Sequence, residues 1–246
     1  MIALALAQKP VTIGEMVVAD YRKAEVFRKY GLDYCCGGKK SLEEACRKKG
    51  IEAQKVQLEL DAIDHLPAAP HQDFESWPMD ALTEHILHKH HQYVSDAIPM
   101  LYELSAKVAR VHGERHPELI EIAGKFNAVA EELQLHMQKE EQILFPHMIK
   151  MALAQRQGAL IPRPLFGSVE NPVRMMESEH ESAGAYLEDI RQLSHDFTPP
   201  VDACTSYRVL YAKLLEFEQD LHQHVHLENN ILFPKAMQLE KQEWTA

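Results

Sequence analysis

The chain has 246 residues, 46% hydrophobic and 26% charged, which is an ordinary balance for a soluble globular protein. Its formal net charge of −11 argues against a surface for nucleic acid, because phosphate binding needs clustered lysine and arginine side chains. No apolar run approaches the length of a membrane span, and four cysteines, two of them adjacent, favour reduced thiols in the cytoplasm over a disulfide framework.

Residues 1–64 are predicted to form a small helical domain. The first residues carry an apolar patch without a preceding basic segment, so no signal peptide is expected. Thr12 can cap the first helix, and Ser41 with Glu44 forms a capping-box pattern that starts the third. The predicted helices of this domain span residues 13–20, 21–30, 41–50 and 53–64.

The loop at 32–40 carries the sequence Asp-Tyr-Cys-Cys-Gly-Gly, in which Cys35 and Cys36 are candidate catalytic thiols. They lie just before the helix that starts at Ser41, and two lysines follow them. Positive potential at a helix N-terminus lowers a thiol pKa and favours the reactive thiolate. The alternative is that the two cysteines are simply small residues in a turn.

Residues 65–77 contain two prolines and few periodic apolar positions, so they are predicted to be a linker. The remainder, 78–246, is predicted to be a four-helix bundle of two antiparallel hairpins, because short connections join its first and last helix pairs and a long one separates them. Pro146 and Pro234 fall inside helical patterns and should kink or loosen their helices one to two turns beyond a glutamate. The four helices are predicted at about 80–111, 117–156, 171–195 and 202–241.

The most informative pattern in the bundle occurs twice. His136 is followed four residues later by Glu140, and His224 is followed at the same interval by Glu228; each pair precedes an identical Ile-Leu-Phe-Pro. Residues four apart share one face of a helix, so each copy can aim an imidazole and a carboxylate at one point. A single copy would be compatible with a surface ion pair, but two copies in register favour a metal site.

An upstream histidine precedes each copy at nearly the same interval. His180 lies 224 − 180 = 44 residues before His224, and His91 lies 136 − 91 = 45 residues before His136. Several other histidines crowd the region of His91, among them His90. The register of the repeat favours His91, since His90 would lie about 100° around the helix.

These residues are predicted to hold two metal ions, each bound by two imidazoles and by carboxylates that bridge both ions. A bridging oxygen can add a fifth ligand and leave one position open. Without thiolate ligands the set suits iron, manganese or zinc, and iron is favoured because zinc usually takes four ligands. Glu132 and Glu179 are candidates for outer-sphere support or a proton path, or are merely solvated. The six candidate ligands are His91, His136, Glu140, His180, His224 and Glu228.

The motifs together resemble one known family. The Asp-Tyr-Cys-Cys-Gly-Gly loop, Glu179-His180 and the run from Lys139 to Pro146 closely resemble the RIC family, named for repair of iron centres. The resemblance covers nearly the whole chain. It implies an all-α protein with a hemerythrin-like four-helix bundle and a small N-terminal helical domain. It also implies a non-haem di-iron centre in the bacterial cytoplasm. The family ligands fall on the six residues above, and the family's cysteine pair falls on Cys35 and Cys36.

The resemblance implies a stress-response protein that restores iron–sulfur clusters damaged by nitrosative or oxidative stress, by donating iron, by removing nitric oxide, or both. Its partners would be the damaged iron–sulfur proteins. The alternatives are a carrier or sensor of nitric oxide or oxygen, and an enzyme that reduces nitric oxide to nitrous oxide. All of these need an open di-iron site, while the cysteine loop favours repair over simple carriage. A homodimer is compatible with the sequence.

Overall fold

The computed structural model describes residues 10–66, 73–161 and 163–244. Its regular structure within these ranges is helical, apart from one isolated bridge between Thr12 and Ser41, so the all-α fold class is confirmed. The chain divides between Ser76 and Trp77 into two compact units. The division falls at the end of the predicted linker. Part of that linker, 67–72, lies outside the described residues, as do residues 1–9, where no signal peptide is expected.

Among its described residues, the N-terminal unit has four short α-helices around a small core, and a 3-10 turn at Phe74–Ser76 near its end. Thr12 caps the first helix, accepting a hydrogen bond from the Glu15 amide while the Glu15 side chain accepts one from the Thr12 amide. Ser41 caps the third helix as expected, accepting from the Glu44 amide. The buried apolar side chains Ile13, Phe27 and Leu60 converge in this unit's core. The helices are α1 (Ile13–Ala19), α2 (Lys23–Lys29), α3 (Leu42–Lys49) and α4 (Ala53–Asp64).

The second unit contains four long helices, here called A to D. Each of A, B and D is a run of two α-helices joined by a turn of π-helix. Helix A comprises α5 (Met79–His85), π1 (Ile86–His91) and α6 (Gln92–His112). Helix B comprises α7 (Glu118–Lys139), π2 (Glu140–Leu144) and α8 (Phe145–Gln157). Helix C is α9 (Glu170–Leu193). Helix D comprises α10 (Thr205–Leu227), π3 (Glu228–Leu232) and α11 (Phe233–Trp244).

The π turns correct the prediction about the two prolines. The loosened turns begin at Glu140 and Glu228 themselves, upstream of the predicted place. Proline has no N–H to offer the carbonyl four residues before it, so the disturbance falls on the turn that precedes Pro146 or Pro234. The third π turn, in helix A, has no proline within it and was not foreseen.

Helix C ends two residues before the predicted His195. Its last helical residue is Leu193, and the next positions, His195 to Phe197, take left-handed backbone conformations with φ between 50° and 57°. Phe197 anchors this turn, because its side chain is buried and its amide donates to the Ser194 hydroxyl.

The bundle core is held by apolar packing and by two carboxylates of helix D, one in an ion pair and one accepting hydrogen bonds. α7 packs against α6 and α9, and α6 packs against α10. Arg191 of helix C pairs with the buried Glu218 of helix D. Glu240, near the end of helix D, accepts hydrogen bonds from the Val169 amide and the Ser168 hydroxyl at the start of helix C. No helix in the part of the chain that the structure describes is long and apolar enough to cross a membrane.

Candidate metal centre

The six candidate ligands lie together in the bundle core, with each side chain at most 3% exposed. They form two groups whose ligand atoms lie within 4.8 Å of one another. One group is His91, Glu140, His224 and Glu228, and the other is His136, Glu140, His180 and Glu228. Both carboxylates are therefore common to both groups, and each group takes one histidine from each hairpin.

The distances around the two carboxylates are short. Glu140 Oε2 lies 3.2 Å from His136 Nε2 and 3.4 Å from His91 Nε2. Glu228 Oε1 lies 2.9 Å from His224 Nε2, and its Oε2 lies 3.1 Å from His180 Nε2. These distances place two imidazoles around each carboxylate group.

The positions of the donor atoms suit coordination of metal ions better than hydrogen bonding among these side chains. Buried polar atoms are nearly always hydrogen-bonded, yet His91 Nε2, both Glu140 oxygens and Glu228 Oε2 have no hydrogen-bond partner. The His136 and His180 Nε2 atoms face each other at 3.0 Å. Two nitrogens bound at about 2.1 Å to one ion, at right angles, are separated by about 3.0 Å. The residues present therefore fit a pair of cations.

The charges of the buried side chains also favour the binding of cations. Burial alone would raise the pKa of Glu228, but the imidazoles of His224 and His180 hold it well below the ordinary glutamate value. Burial alone would lower the pKa of His136, but Glu140 and Glu179 raise it to about 10. Without a metal, the raised pKa of His136 lets a proton on its imidazole partly balance the buried carboxylates. A bound cation would take the place of that proton.

Three of the ligand histidines are oriented by a polar side chain that contacts their Nδ1 atom. The three side chains are Glu141, Glu179 and Asn229. His91 Nδ1 lies 2.8 Å from Glu141, and His180 Nδ1 lies 3.0 Å from Asn229. Glu141 and Asn229 each follow a shared carboxylate in the repeat, so the repeat could have identified them. This support is typical of metal-binding histidines.

Glu179 and Glu132, the two outer-sphere candidates, differ in what they contact. Glu179 lies 2.8 Å from His136 Nδ1 and also pairs with Lys139; the His136 contact lowers the pKa of Glu179 to about 2. Glu132 accepts a hydrogen bond from Ser182 at 2.8 Å. It is therefore tied to the helix that carries His180, two residues away from that ligand.

The fourth histidine, His224, is supported differently. Its Nδ1 has no hydrogen-bond partner, and the ring of His90 stacks against it at 5.6 Å between centroids. His90 points its own Nδ1 at Asp220, 3.0 Å away. His91 therefore lies among the candidate ligands, while His90 packs behind one.

The repeated Ile-Leu-Phe-Pro has a structural role at the centre. Phe145 of the first copy stacks on His91 at 5.5 Å, and Phe233 of the second stacks on His180 at 6.2 Å. Both phenylalanines are at most 1% exposed. They therefore pack against ligand imidazoles in the protein interior.

Cys35 and Cys36 lie in the N-terminal unit. Their sulfurs are 3.9 Å apart, and Cys35 Sγ lies 3.2 Å from the Asp33 carboxylate. The expected activation is wrong for Cys35, because the contact with Cys36, burial and the nearby Asp33 raise the pKa of its thiol well above the usual value. The local acidic group and burial outweigh the helix N-terminus and the lysines.

Comparisons with known proteins agree with this arrangement. Residues 9–64 match the family model of a domain of unknown function (DUF542), and residues 82–236 match that of the hemerythrin HHE cation binding domain. The chain is 35% identical over 226 residues to the iron-sulfur cluster repair protein YtfE of Yersinia pestis (strain Pestoides F). It is also 35% identical to the protein of that name from Yersinia pseudotuberculosis serotype IB (strain PB1/+). Each match covers 92% of this chain and 96% of the relative.

Proposed function

The chain belongs to the RIC family of hemerythrin-like proteins, and from this premise we propose that it is a di-iron protein that repairs damaged iron–sulfur clusters by supplying them with iron. The observation that carries the proposal is that two buried histidine pairs share Glu140 and Glu228. The relatives named iron-sulfur cluster repair proteins support the choice of task.

The two ligand groups support two ions per chain. Each group offers imidazole and carboxylate without thiolate, and such ligands suit iron. Zinc is less suitable, since shared carboxylates and two imidazoles leave room for more than the four ligands it prefers. When bound, the irons supply redox chemistry, and the protein's residues hold them apart from water.

The shared carboxylates make the iron suitable as cargo. Displacing either Glu140 or Glu228 weakens both sites at once, because each carboxylate serves both groups. Carboxylates and imidazoles bind metal only when deprotonated, so protonation also favours release. The π turns that begin at the two glutamates leave the following backbone free of regular α-helical hydrogen bonding, which makes these carboxylates the easiest ligands to move.

Damaged iron–sulfur proteins are the proposed recipients, and the cytoplasm, where thiols stay reduced, is the proposed place. Nitric oxide and oxygen are the proposed small ligands of the open position. Removal of nitric oxide would then accompany repair.

The test begins with iron content. The purified protein should hold two irons per chain, one for each ligand group. His224→Ala should lose at least one, whereas His222→Ala, a control on the same helix outside both groups, should keep both. Full retention in His224→Ala would contradict the ligand assignment.

The second step measures repair. Iron-loaded protein is mixed, without oxygen, with an iron–sulfur enzyme whose cluster has been damaged by nitric oxide, and recovery of its activity is followed. Recovery should exceed that with the same amount of free ferrous iron, and His224→Ala should give less. Equal recovery with free iron would contradict donation by the protein.

A further inference from the structure

A third group of potential metal ligands lies in the N-terminal unit. Asp33, Cys35 and Cys36 each offer one ligand atom, and these atoms lie within 4.8 Å of one another. We propose that these three residues form a separate site for one divalent cation that accepts sulfur ligands. The natural occupant is ferrous iron on its way to a damaged cluster, an assignment that rests on the proposed function.

The spacing of the sulfurs suits a shared ion. Cys35 Sγ and Cys36 Sγ are 3.9 Å apart, and neither cysteine is in a disulfide. Two thiolates bound at about 2.3 Å in a tetrahedral arrangement are about 3.8 Å apart. Little movement is therefore needed for both sulfurs to bind one metal.

The backbone holds this arrangement in place. The Asp33 carboxylate accepts hydrogen bonds from the amides of Cys35, Cys36 and Gly37, at 2.8–3.1 Å. A side chain at Gly37 would place its Cβ 2.6 Å from the Asp33 carbonyl oxygen, so the turn needs glycine. Gly38 ties the loop to α1 by accepting the Gly14 amide at 2.9 Å.

Asp33 retains capacity to bind a cation. An ionised carboxylate has about four acceptor positions, and its Oδ2 accepts only the Gly37 amide among the hydrogen bonds described. The Cys35 thiol lies against Oδ1, so replacing its proton by a metal frees that oxygen as well. The carboxylate can then balance the charge of the metal alongside two thiolates.

The site is open on one side, which suits temporary binding. Cys35 is buried, Cys36 is half-buried and Asp33 is exposed. Three protein ligands leave a fourth position open, as in metal sites that exchange ligands. A cysteine of a damaged iron–sulfur protein could enter that position and take the ion. The centre in the bundle offers imidazole and carboxylate but no sulfur ligand, so this loop supplies the ligand type that the receiving cluster uses.

The competing explanation is that Asp33 merely shapes the turn. The two explanations differ in whether an added cation that accepts sulfur ligands becomes bound by the thiolates. The experiment uses the full chain with its iron centre loaded, a reductant that does not bind metal, and cobalt(II) as the probe. Cobalt bound by thiolate shows an intense sulfur-to-metal charge-transfer band, whereas cobalt bound by the sulfur-free ligands of the bundle does not.

The wild-type protein should bind one cobalt with this band. Cys36→Ser, at the half-buried position, should abolish it, and Asp33→Asn should weaken cobalt binding at least about tenfold, as loss of a supporting group does at other metal sites. Cys46→Ser and Cys204→Ser, which remove the other two free cysteines, should leave it unchanged. Far-ultraviolet circular dichroism checks that each variant keeps its helices.

Absence of the band in the wild type, or its survival in folded Cys36→Ser, would overturn the proposed site. If Cys36→Ser does not fold, Asp33→Asn decides the question, and unchanged cobalt affinity in folded Asp33→Asn also overturns it. The outcome is separate from the repair assay. Cobalt binding without repair would support the metal site and contradict the repair function. Repair without cobalt binding would support the repair function and contradict the metal site.

Discussion

In a ligand histidine, the hydrogen bond made by Nδ1 determines how firmly Nε2 is oriented toward the centre. His91 is held by Glu141, 2.8 Å away, on the neighbouring helix. Removing such outer-sphere partners costs metal sites about 10–100-fold in affinity. Glu141→Ala should therefore lower the affinity for iron at the His91 pair by that factor.

Competition with a chelator under equilibrium conditions measures this affinity. Glu131→Ala, an exposed glutamate on the same helix, is the matched control and should behave as wild type. Equal iron affinity in both variants would show that Glu141 does not support the ligand.

A surface histidine away from the centre gives a clean pH prediction. His116 lies 3.2 Å from Asp202, and that contact raises the pKa of His116 above its ordinary value of 6.5. The pair therefore stabilises the fold below pH 6.5, and this contribution is lost as the pH rises through the higher folded-state pKa. A proton NMR titration of His116 should have its midpoint above 6.5, and Asp202→Asn should lower it. An unchanged midpoint in that variant would contradict the pairing.

Several residues of the centre could be found from the sequence because they repeat. His136 with Glu140, and His224 with Glu228, were visible from their spacing, and the structure places them in the shared groups. Glu141 and Asn229 were missed, although each directly follows a shared carboxylate in the repeat. The pKa of the Cys35 thiol was misjudged because the contact with Cys36, burial and Asp33 all raise it. Asp33 is visible in the motif, but burial and the side-chain contacts depend on the fold.

Helices C and D are joined by a buried ion pair. Arg191 donates to both oxygens of Glu218, whose side chain is 2% exposed, while Arg191 is partly exposed. Removing Glu218 leaves Arg191 with only its exposed partner Asp196, and breaking a buried pair costs about 3 kcal/mol or more. Glu218→Ala should lower the free energy of unfolding by about 3 kcal/mol in urea denaturation.

The exposed pair of Lys213 and Glu216 on the same helix provides the control. Surface pairs contribute about 0–1 kcal/mol, so Lys213→Ala should change stability little. Similar losses in the two variants would mean that burial does not strengthen the tie between the helices.

Helix positions were largely predictable, and their irregularities were not. The four long helices follow from apolar periodicity and from proline and glycine breaks, and their ends shift by one to three residues. The π turns depend on which backbone carbonyls lose a donor and on packing across helices. Pro146 marks a disturbance but not the turn that absorbs it, and π1 has no proline to mark it at all.

At the scale of the whole molecule, one unit offers a buried centre and the other a loop with one buried and one half-buried thiol. If the loop receives iron for transfer, Cys35→Ser with Cys36→Ser should keep the iron content of the bundle and lose repair of a damaged cluster protein. Iron analysis and the repair assay on the same preparation measure both quantities. Loss of iron together with repair would mean that the thiols act on the centre, and full repair would mean that they are not needed.

The central claim is that the shared centre holds iron in order to release it. Ferric ions bind carboxylate more strongly than ferrous ions do, and Glu140 and Glu228 serve both ligand groups. Reduction should therefore loosen both ions together. The direct measurement is the amount of iron trapped by a chelator over time, with reduced and oxidised protein compared side by side. The account predicts far faster loss from the reduced protein, with both irons leaving in one phase; equally slow release in the two states would contradict it.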